Sequence, residues 1–259
     1  MAREDFIHKN EAGVSLIEIS REKVMNALDS EAVLSLSSLI AEIAEAGPRC
    51  LVLTGAGPKA FVAGADLKEM EAMGRSQAEN LCSAGNELMR RISDFPAPVI
   101  AAVNGYAIGG GFELALACDI RLASDKAVFS LPEVSFGIIP GYGGLQRLSR
   151  LIGRGRASEL AYTARRLSAA EALEWGVVSR VFKPEELMSE AMKMAETIAA
   201  MPPLAIASAK KVLTLSEGLE ASKSHLLERG GFGSLFGTWD QREAMAAFAE
   251  KRKPPPFKG

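Results

Sequence analysis

The segment Val103-Asn-Gly-Tyr-Ala-Ile-Gly-Gly-Gly-Phe-Glu-Leu114 says more about the fold than any other stretch of this 259-residue chain. A strand-like apolar run, 98–103, leads into it, and a second one, 120–123, follows it. Three consecutive glycines permit a tight turn and a helix that opens at Phe112, because glycine adopts backbone conformations that other residues avoid. A strand, a glycine-rich turn and a helix in this order indicate one unit of an α/β core.

The sequence before and after this segment repeats the alternation of strand and helix signals. Apolar and polar residues alternate in Val14–Ile19, and 50–54 is a short apolar run, so both are predicted strands. Asp29 offers a side-chain cap for a helix between them. The patterns Ser76-Gln-Ala-Glu79 and Ser168-Ala-Ala-Glu171 are capping boxes, which predict two further helix starts.

The chain becomes mainly helical after Gly143. A last strand is predicted over 177–182, and Pro184 stands where the first turn of a helix favours proline. The break Met201-Pro-Pro203 separates that helix from the next one. We therefore expect two parts: a core over 1–198 that holds the active site, and a C-terminal helical region over 199–259.

The composition is that of an ordinary globular protein, with 48% hydrophobic and 24% charged residues. The net charge of −2 predicts no general attraction to nucleic acid or to an anionic membrane. The most apolar stretch, 99–118, contains Asn104, several glycines and Glu113, a pattern that does not predict a membrane span.

Cysteine usage favours a reducing compartment. Cys50, Cys82 and Cys118 are an odd number, lie far apart and form no Cys-x-x-Cys pair. Neither a disulfide framework nor a thiolate zinc site is therefore predicted. The first residues include acids and no apolar run of the kind found in secretory signals. We expect a cytoplasmic protein without a bound metal.

Histidine chemistry is not expected in this chain. Its two histidines, His8 and His225, lie near opposite ends, and no Gly-x-Ser-x-Gly, His-Glu-x-x-His or P-loop motif is present. If the protein is an enzyme, carboxylates and backbone amides must carry the reaction.

Gly55-Ala-Gly-Pro-Lys-Ala60 has the letters of a dinucleotide-binding fingerprint. That motif needs a helix that starts within the glycines, so that its N-terminus faces the pyrophosphate. Here a further extended run, Phe61-Val-Ala-Gly-Ala65, follows instead. We interpret the motif as a turn after a buried strand.

Two stretches of small residues are candidates for carbonyl binding. Ala63-Gly-Ala-Asp66 and Gly109-Gly-Gly-Phe-Glu113 both let a ligand approach backbone N–H groups closely. Two such groups aimed at one point would form an oxyanion hole, which stabilises negative charge on a carbonyl oxygen. Taken alone, each stretch is more often an ordinary tight turn.

Glu113 and Glu133 are the candidate acid–base residues. Both stand among apolar neighbours, where an unpaired carboxylate is costly to bury. Two carboxylates that converge on one water can take and give protons. The alternative for either residue is a surface or helix-capping role.

A basic run without acids and a basic tail are the remaining charged features. They comprise Arg147, Arg150, Arg154 and Arg156 in the run and Lys251, Arg252, Lys253 and Lys258 in the tail. A solvated face is the ordinary interpretation. The functional interpretation of these basic residues is a docking site for the phosphates of a nucleotide-bearing ligand or of RNA.

Three long motifs in register together resemble the enoyl-CoA hydratase/isomerase (crotonase) family. They are Lys59-Ala-Phe-Val-Ala-Gly-Ala-Asp-Leu-Lys-Glu-Met70, the segment 103–114, and Pro132-Glu-Val followed by Gly137-Ile-Ile-Pro-Gly-Tyr-Gly-Gly144. Met25-Asn-Ala-Leu28 and the run 248–253 extend the resemblance over essentially the whole chain. It implies an α/β fold, a crotonase-like spiral of ββα units, with a C-terminal helical region that packs trimers, often paired into hexamers.

The same resemblance implies a substrate and the groups that bind it. The substrate would be an acyl thioester of coenzyme A, with no separate cofactor. The N–H groups of Ala65 and Gly110 would form the oxyanion hole, and Glu113 and Glu133 match the two catalytic glutamates of the hydratases. The positions that would bind coenzyme A are Ala63, Asp66, Leu67, Lys68 and the tail residue Lys258, which could act on a neighbouring subunit.

Having both glutamates favours reversible hydration of a short- or medium-chain 2-enoyl-CoA to a 3-hydroxyacyl-CoA, since isomerases of the family generally lack the acid that matches Glu113. The alternatives are a hydratase for a cyclic or branched enoyl-CoA, an enoyl-CoA isomerase and, from another class, an RNA-binding or scaffold relative. Phe112 and Phe136 stand where other residues are common in the family and leave the acyl chain open.

Overall fold

A computed structural model describes residues 5–259. Glu4, one of the acids on which the expectation of no secretory signal rests, lies outside the described residues. The strands are β1 (Phe6–Glu11), β2 (Val14–Ile19), β3 (Cys50–Gly55), β4 (Ala60–Val62), β5 (Val99–Val103), β6 (Tyr106–Ile108), β7 (Ile120–Ser124), β8 (Val128–Ser130), β9 (Leu167–Ser168) and β10 (Arg180–Phe182). The helices are α1 (Ser30–Glu45), α2 (Leu67–Glu71), α3 (Arg75–Ser93), α4 (Gly110–Ala117), α5 (Gly144–Ile152), α6 (Arg154–Thr163), α7 (Ala169–Glu174), α8 (Pro184–Ala199), α9 (Pro203–Ser216), α10 (Ala221–Leu235) and α11 (Trp239–Ala249).

The strands form two sheets that the chain visits in turn. The larger sheet has the order β1-β2-β3-β5-β7-β10 and the smaller one β4-β6-β8-β9. Only β1–β2 and β8–β9 are antiparallel pairs among those described. Successive strands come in pairs that are divided between the sheets: β3, β5 and β7 lie in the larger sheet, and β4, β6 and β8 lie in the smaller one. A helical segment follows each pair. The predicted α/β spiral of ββα units is therefore confirmed.

The central strands β3 and β5 are buried along their whole length, as expected for parallel strands covered on both faces. Successive side chains of a strand point to opposite faces. Leu51 and Leu53 of β3 therefore enter the main core, while Cys50 and Val52 belong to a second cluster with α8. The side chains of α8 in this cluster are spaced four residues apart and comprise Leu187, Ala191, Ala195 and Ala199.

Most of the elements predicted from the sequence are present. The strands around 14–19, 50–54, 98–103 and 120–123 are found as β2, β3, β5 and β7. Asp29 caps α1 by accepting a hydrogen bond from the N–H of Ala32 at 2.8 Å, and Ser168 and Glu171 form the predicted capping box of α7. The run 55–60 is the predicted turn, which connects β3 to β4.

Three predicted boundaries were wrong. Helix α3 begins at Arg75 and not after Ser76, because Gln77 reaches back to accept a hydrogen bond from the N–H of Gly74 at 3.0 Å. Strand β10 begins only at Arg180, because the N–H groups at 177 and 178 turn back to the carbonyl of Ala172. Helix α4 begins at Gly110, two residues before the predicted start.

The C-terminal helices α9 to α11 attach to the core through a few polar contacts. The ammonium group of Lys210, the one buried residue of α9, donates to Asp119 at 2.8 Å and to the carbonyl of Ala97 at 3.0 Å. The tail after α11 is held separately, since Arg49 donates to the carbonyl of Phe257 as well as to that of Ala199 at the end of α8. The predicted boundary between 198 and 199 falls at the last turn of α8 and stays a prediction.

Within residues 5–259, no single helix has the length and hydropathy of a membrane span, and α8 and α9 reach them only as a pair bent by 108°. The same residues contain no group of three histidine, cysteine, aspartate or glutamate side chains placed to hold a metal ion.

Candidate active site

The direction of the Ala65 N–H is fixed by a bridge to the loop before α1. The N–H of Leu28 donates to the carbonyl of Gly64 at 2.9 Å, and the carbonyl of Leu28 accepts from Asp66 at 3.2 Å. The carbonyl of Gly64 and the N–H of Ala65 belong to one trans peptide group and point in opposite directions. Because the carbonyl faces Leu28, the N–H of Ala65 faces the other side.

A buried asparagine holds the loop that carries Leu28. Asn26 has a φ of 60° and is 1% exposed. Its amide donates to the carbonyls of Ala56 at 3.0 Å and Ala60 at 2.8 Å, at either end of the turn before β4. The Met25–Leu28 motif thus supports the segment that presents Ala65.

Gly110 supplies a second N–H group at the same place. It is the first residue of α4, where backbone N–H groups have no partner within the helix. A Cβ built on Gly110 would lie 3.9 Å from the backbone nitrogen of Ala65. Across the described part of the chain, neither N–H donates to another protein group. The pair can therefore bind a carbonyl oxygen, as an oxyanion hole does.

Glu113 lies on the first turn of α4 and is 1% exposed. Its Oε1 accepts hydrogen bonds from the N–H groups of Tyr142 at 2.8 Å and Gly144 at 2.7 Å. Gly144 is the first residue of α5, so the carboxylate stands at the positive end of that helix. Burial raises the pKa of Glu113, and the two N–H donors and the charge of Arg147 oppose this rise.

Glu133 begins a short 3-10 helix, Glu133–Phe136, and lies beside Gly109, the residue before α4. A Cβ on Gly109 would lie 2.6 Å from its Oε1. Its Oε2 is buried without a hydrogen-bond partner among the described residues. Burial raises the pKa of Glu133 from 4.5 to about 7, and the charge of Glu113 adds to this rise.

Burial raises the pKa of both glutamates, but their hydrogen-bond and charge surroundings differ. Glu113 has two N–H donors and a nearby arginine that stabilise its charged form. Glu133 has an oxygen without a donor and a neighbouring negative charge, both of which favour its neutral form. A carboxylate and a carboxylic acid beside one oxyanion hole can remove a proton and supply another.

Tyr142 and Gly144 are site residues that were not singled out from the sequence, and Arg147 was expected only in a solvated or phosphate-binding basic run. The Tyr142 ring lies between Gly85 of α3 and Gly110, where added Cβ atoms would meet it at 2.1 Å and 3.1 Å. The guanidinium of Arg147 donates to the carbonyl of Tyr142 at 2.9 Å. The adjacent glycines at 143 and 144, the N-cap and first residue of α5, are the signal that could have identified this loop, because helix N-termini offer N–H donors to anions.

The positions expected to bind coenzyme A fall into two places. Ala63, Asp66, Leu67 and Lys68 flank Ala65, and the carboxylate of Asp66 caps α2 by accepting from the N–H groups of Lys68 at 2.9 Å and Glu69 at 3.4 Å. The side chains of Leu67 and Lys68 are exposed. Lys258 is not brought to this group within the chain, since its ammonium lies 4.4 Å from the centre of the Trp239 ring.

The basic run 147–156 does not act as one surface. Arg147 faces the Tyr142 carbonyl and the Glu113 charge. Arg150 pairs with Glu217 at 3.1 Å, and Arg156 stacks 4.9 Å from the centre of the Trp175 ring. At least three of its four arginines therefore make separate contacts.

Known proteins resemble this chain over its whole length. Residues 9–259 match the family model described as Enoyl-CoA hydratase/isomerase. The short-chain-enoyl-CoA hydratase of Clostridium acetobutylicum is 42% identical over 259 residues, which cover 100% of this chain and 99% of that protein. The crotonyl-CoA hydratase of Syntrophomonas wolfei is 41% identical and is covered to 98%, as is this chain.

Solved structures give the same result. The crystal structure of the enoyl-CoA hydratase from Bacillus anthracis superposes with a TM-score of 0.94 at 41% identity, over 98% of this chain and 99% of that one. An enoyl-CoA hydratase structure from Geobacillus kaustophilus superposes with a TM-score of 0.92 at 42% identity, over 98% of both chains. The chain belongs to the enoyl-CoA hydratase/isomerase family.

Proposed function

We propose that the protein is an enoyl-CoA hydratase that reversibly adds water to a short-chain 2-enoyl-CoA and gives the 3-hydroxyacyl-CoA. The observation that carries this proposal is the meeting of two unpaired N–H groups, those of Ala65 and Gly110, with the carboxyl groups of Glu113 and Glu133. The relatives named short-chain-enoyl-CoA hydratase and crotonyl-CoA hydratase support the reaction and a short acyl chain.

The oxyanion hole activates the substrate. The thioester carbonyl oxygen accepts hydrogen bonds from Ala65 and Gly110, which draws electrons from the C2=C3 bond and makes C3 electrophilic. When water adds at C3, negative charge moves to this oxygen as an enolate. The donors act most strongly in that state, and removal of one such donor typically costs about 3–4 kcal/mol of transition-state stabilisation.

The glutamates divide the proton transfers between them. The Glu113 carboxylate takes a proton from water as the water oxygen bonds to C3, and the C2=C3 electron pair moves into the enolate. Glu133 gives its proton to C2 as the enolate returns to a thioester. Water is thereby added as hydroxyl on C3 and hydrogen on C2. Glu113 ends protonated and Glu133 ionised, and exchange with solvent restores both.

The coenzyme A portion follows the surface beside Ala65. Ala63 and Leu67 flank the oxyanion hole, and Lys68 offers a cation close to it, placed by the cap that Asp66 forms on α2. We assign Lys258 to the site of a neighbouring subunit, because its own chain holds it on Trp239.

A homotrimer, or a dimer of trimers, is the proposed assembly. Large apolar side chains project from the C-terminal helices, with Leu213 of α9 74% exposed and Phe232 of α10 69% exposed. Because α9 and α10 pack against each other, large exposed apolar side chains on both helices are a mark of contact with another protein surface. A second copy of the chain is the partner that the assignment of Lys258 requires.

The reaction uses only groups of this chain and water, so we propose that no separate cofactor takes part. A cytoplasmic location is proposed as well, with support from three cysteines that form no disulfide.

The test is the loss of absorbance of the conjugated enoyl thioester when crotonyl-CoA is hydrated. We expect rapid turnover by the wild type and a 10²–10⁴-fold lower kcat in Glu113→Gln and in Glu133→Gln, since general acid–base catalysis is worth about that much. Glu185→Gln, at an exposed position on α8, is the matched control and should keep the full rate. A folded wild type that hydrates no enoyl-CoA would overturn the proposal.

A further inference from the structure

Two side chains on consecutive turns of α3 bind one carbonyl in the loop that holds Glu113. The thiol of Cys82 donates to the carbonyl of Gly141 at 2.9 Å, and the amide nitrogen of Asn86 donates to the same oxygen at 2.7 Å. That nitrogen also donates to the carbonyl of Cys82 at 2.9 Å, which orients the Asn86 amide. Both side chains are half-buried, so solvent competes with these bonds only in part.

The same peptide group binds Glu113 at its other end. The carbonyl of Gly141 and the N–H of Tyr142 form one planar trans peptide and point in opposite directions. The N–H of Tyr142 donates to Oε1 of Glu113 at 2.8 Å. Fixing the carbonyl therefore fixes the direction of the N–H. Donors on the carbonyl also polarise the peptide and strengthen its N–H as a donor.

The local sequence makes such a restraint necessary. Glycines at 141 and 143 flank Tyr142, and Gly143 has a φ of +88°. Glycine allows many backbone conformations, so this peptide could rotate and turn its N–H away from Glu113. Arg147 holds the next peptide through the carbonyl of Tyr142 and leaves the Gly141–Tyr142 peptide to α3.

We propose that Cys82 and Asn86 are positioning residues of the active site, which hold the Gly141–Tyr142 peptide with its N–H toward Glu113 and so keep this glutamate ionised as the base. Neither side chain touches the reacting atoms. For the catalytic role of Glu113 the proposal rests on the proposed function, whereas the contacts themselves do not.

The first experiment measures the pH profile of kcat/KM with crotonyl-CoA. Cys82→Ala and Asn86→Leu each remove one donor, and the double variant removes both. Loss of the N–H bond weakens the charged form of Glu113 and raises its pKa, so the acid limb of the profile should move to higher pH. We expect a shift of about one pH unit in the double variant, which equals about a tenfold loss of kcat/KM on that limb.

Matched variants separate positioning from packing. Cys82→Ser keeps a donor at the same place and should retain the wild-type acid limb. Ser83→Ala, on the same helix, removes a hydroxyl that bonds only within α3 and should leave the limb unchanged. If Cys82→Ser behaves like Cys82→Ala, or if a folded double variant keeps the wild-type profile, the proposal is wrong.

The second experiment does not depend on turnover. The ¹³C-carboxyl resonance of Glu113 in glutamate-labelled protein, assigned by its absence in Glu113→Gln, is titrated in the wild type and the double variant. A higher midpoint in the double variant supports the positioning role even if the wild type hydrates no enoyl-CoA, an outcome that would overturn the proposed function alone. Equal midpoints overturn the positioning role.

Discussion

At the scale of the residue, Glu133 is costly to the folded protein whenever it is ionised. Its pKa is raised from 4.5 to about 7 on folding. The stability contributed by its neutral form is therefore present below pH 4.5 and lost as the pH rises through 7. At 1.36 kcal/mol per unit, the free energy of unfolding at pH 8 is lowered by about 3 kcal/mol.

Glu133→Gln should consequently be more stable than the wild type while it loses activity. The amide stays neutral, so we expect an advantage of about 3 kcal/mol at pH 8 that shrinks to about 1 kcal/mol at pH 5. Urea unfolding of both proteins at pH 5 and pH 8, at one protein concentration, measures this difference in the free energy of unfolding. An advantage that does not change with pH would contradict the burial of a neutral acid at this position.

Gly110 and Gly111 are adjacent glycines that differ in what an added methyl group would contact. A methyl group on Gly110 would lie 3.9 Å from the Ala65 nitrogen and 3.1 Å from the Tyr142 ring, a side chain that needs to shift only slightly. One on Gly111 would meet the backbone carbonyl oxygen of Val62 at 2.0 Å. We expect Gly110→Ala to fold with less than about 1 kcal/mol of destabilisation but to lose at least about 10²-fold in kcat/KM. Gly111→Ala should instead lose about 3 kcal/mol of stability, because the backbone cannot move aside.

Hydratase assays and urea unfolding of both variants check this pair. Equal activity of Gly110→Ala and the wild type would exclude the oxyanion hole at this turn.

The site residues that were predicted from the sequence carry acidic side chains, whereas those that were not predicted contribute backbone groups. Glu113 and Glu133 stood out because acids are rare in apolar runs. Gly144 acts through its backbone N–H, and Tyr142 through both its N–H and its carbonyl. The direction of a backbone group depends on how the loop packs, which no residue letter specifies.

At the scale of the element, the loop 140–143 packs closely against α3 because Gly85 has no side chain. The Tyr142 ring occupies the place where a Cβ of Gly85 would stand, at 2.1 Å. Alanine normally stabilises a helix by roughly 0.5–1 kcal/mol relative to glycine. Gly85→Ala should have the opposite sign and lose about 1–3 kcal/mol through overpacking. It should also lower kcat, because Tyr142 donates to Glu113.

Gly155→Ala on α6 is the matched control for this prediction. No atom lies within 4 Å of a Cβ built there, so this variant should be as stable as the wild type or slightly more stable. Thermal unfolding and the crotonyl-CoA rate measure both variants. A stabilised and fully active Gly85→Ala would contradict the packing of Tyr142 against α3.

The elements themselves were predictable where one local signal dominated. Alternating or continuous apolar residues identified β2, β3 and β5, and side-chain caps identified the starts of α1 and α7. The start of α3 was misplaced because two acceptors, Gln77 and Glu79, compete for the same role. The structure uses Glu79 to pair with Arg75 at 2.8 Å instead.

At the scale of the whole molecule, the order of strands could not be read from periodicity. Pairing of β3 with β5, and of β4 with β6, joins residues 45 to 48 positions apart, with a strand of the other sheet between them in the chain. Hydrophobic patterns specify which face of a strand is buried but not which strand lies beside it. The spiral was therefore expected only through the resemblance to a family, and the backbone then confirmed it.

The exposed apolar side chains of α9 and α10 are predicted to form the interface between copies of the chain. Leu213→Glu combined with Phe232→Glu places two charges on side chains that are largely exposed in the single chain. The fold of one chain should tolerate them, but an interface between copies should not, because an unpaired charge is costly to bury. We expect the wild type to sediment at about three or six times 27.5 kDa and the double variant at 27.5 kDa. Leu34→Glu, at an exposed position of α1, is the control and should leave the mass unchanged.

The kinetics of this variant then separate assembly from catalysis. Glu113, Glu133, Ala65 and Gly110 all belong to one chain, so a monomer keeps the complete reacting site. If Lys258 of a neighbouring subunit binds a coenzyme A phosphate, dissociation should raise KM for crotonyl-CoA by about tenfold, the value of one exposed charge-assisted contact, with a much smaller change in kcat. Lys258→Ala in the assembled protein should reproduce the rise in KM. A wild type that sediments at 27.5 kDa with the same KM as Lys258→Ala would remove both the trimer and the cross-subunit contact.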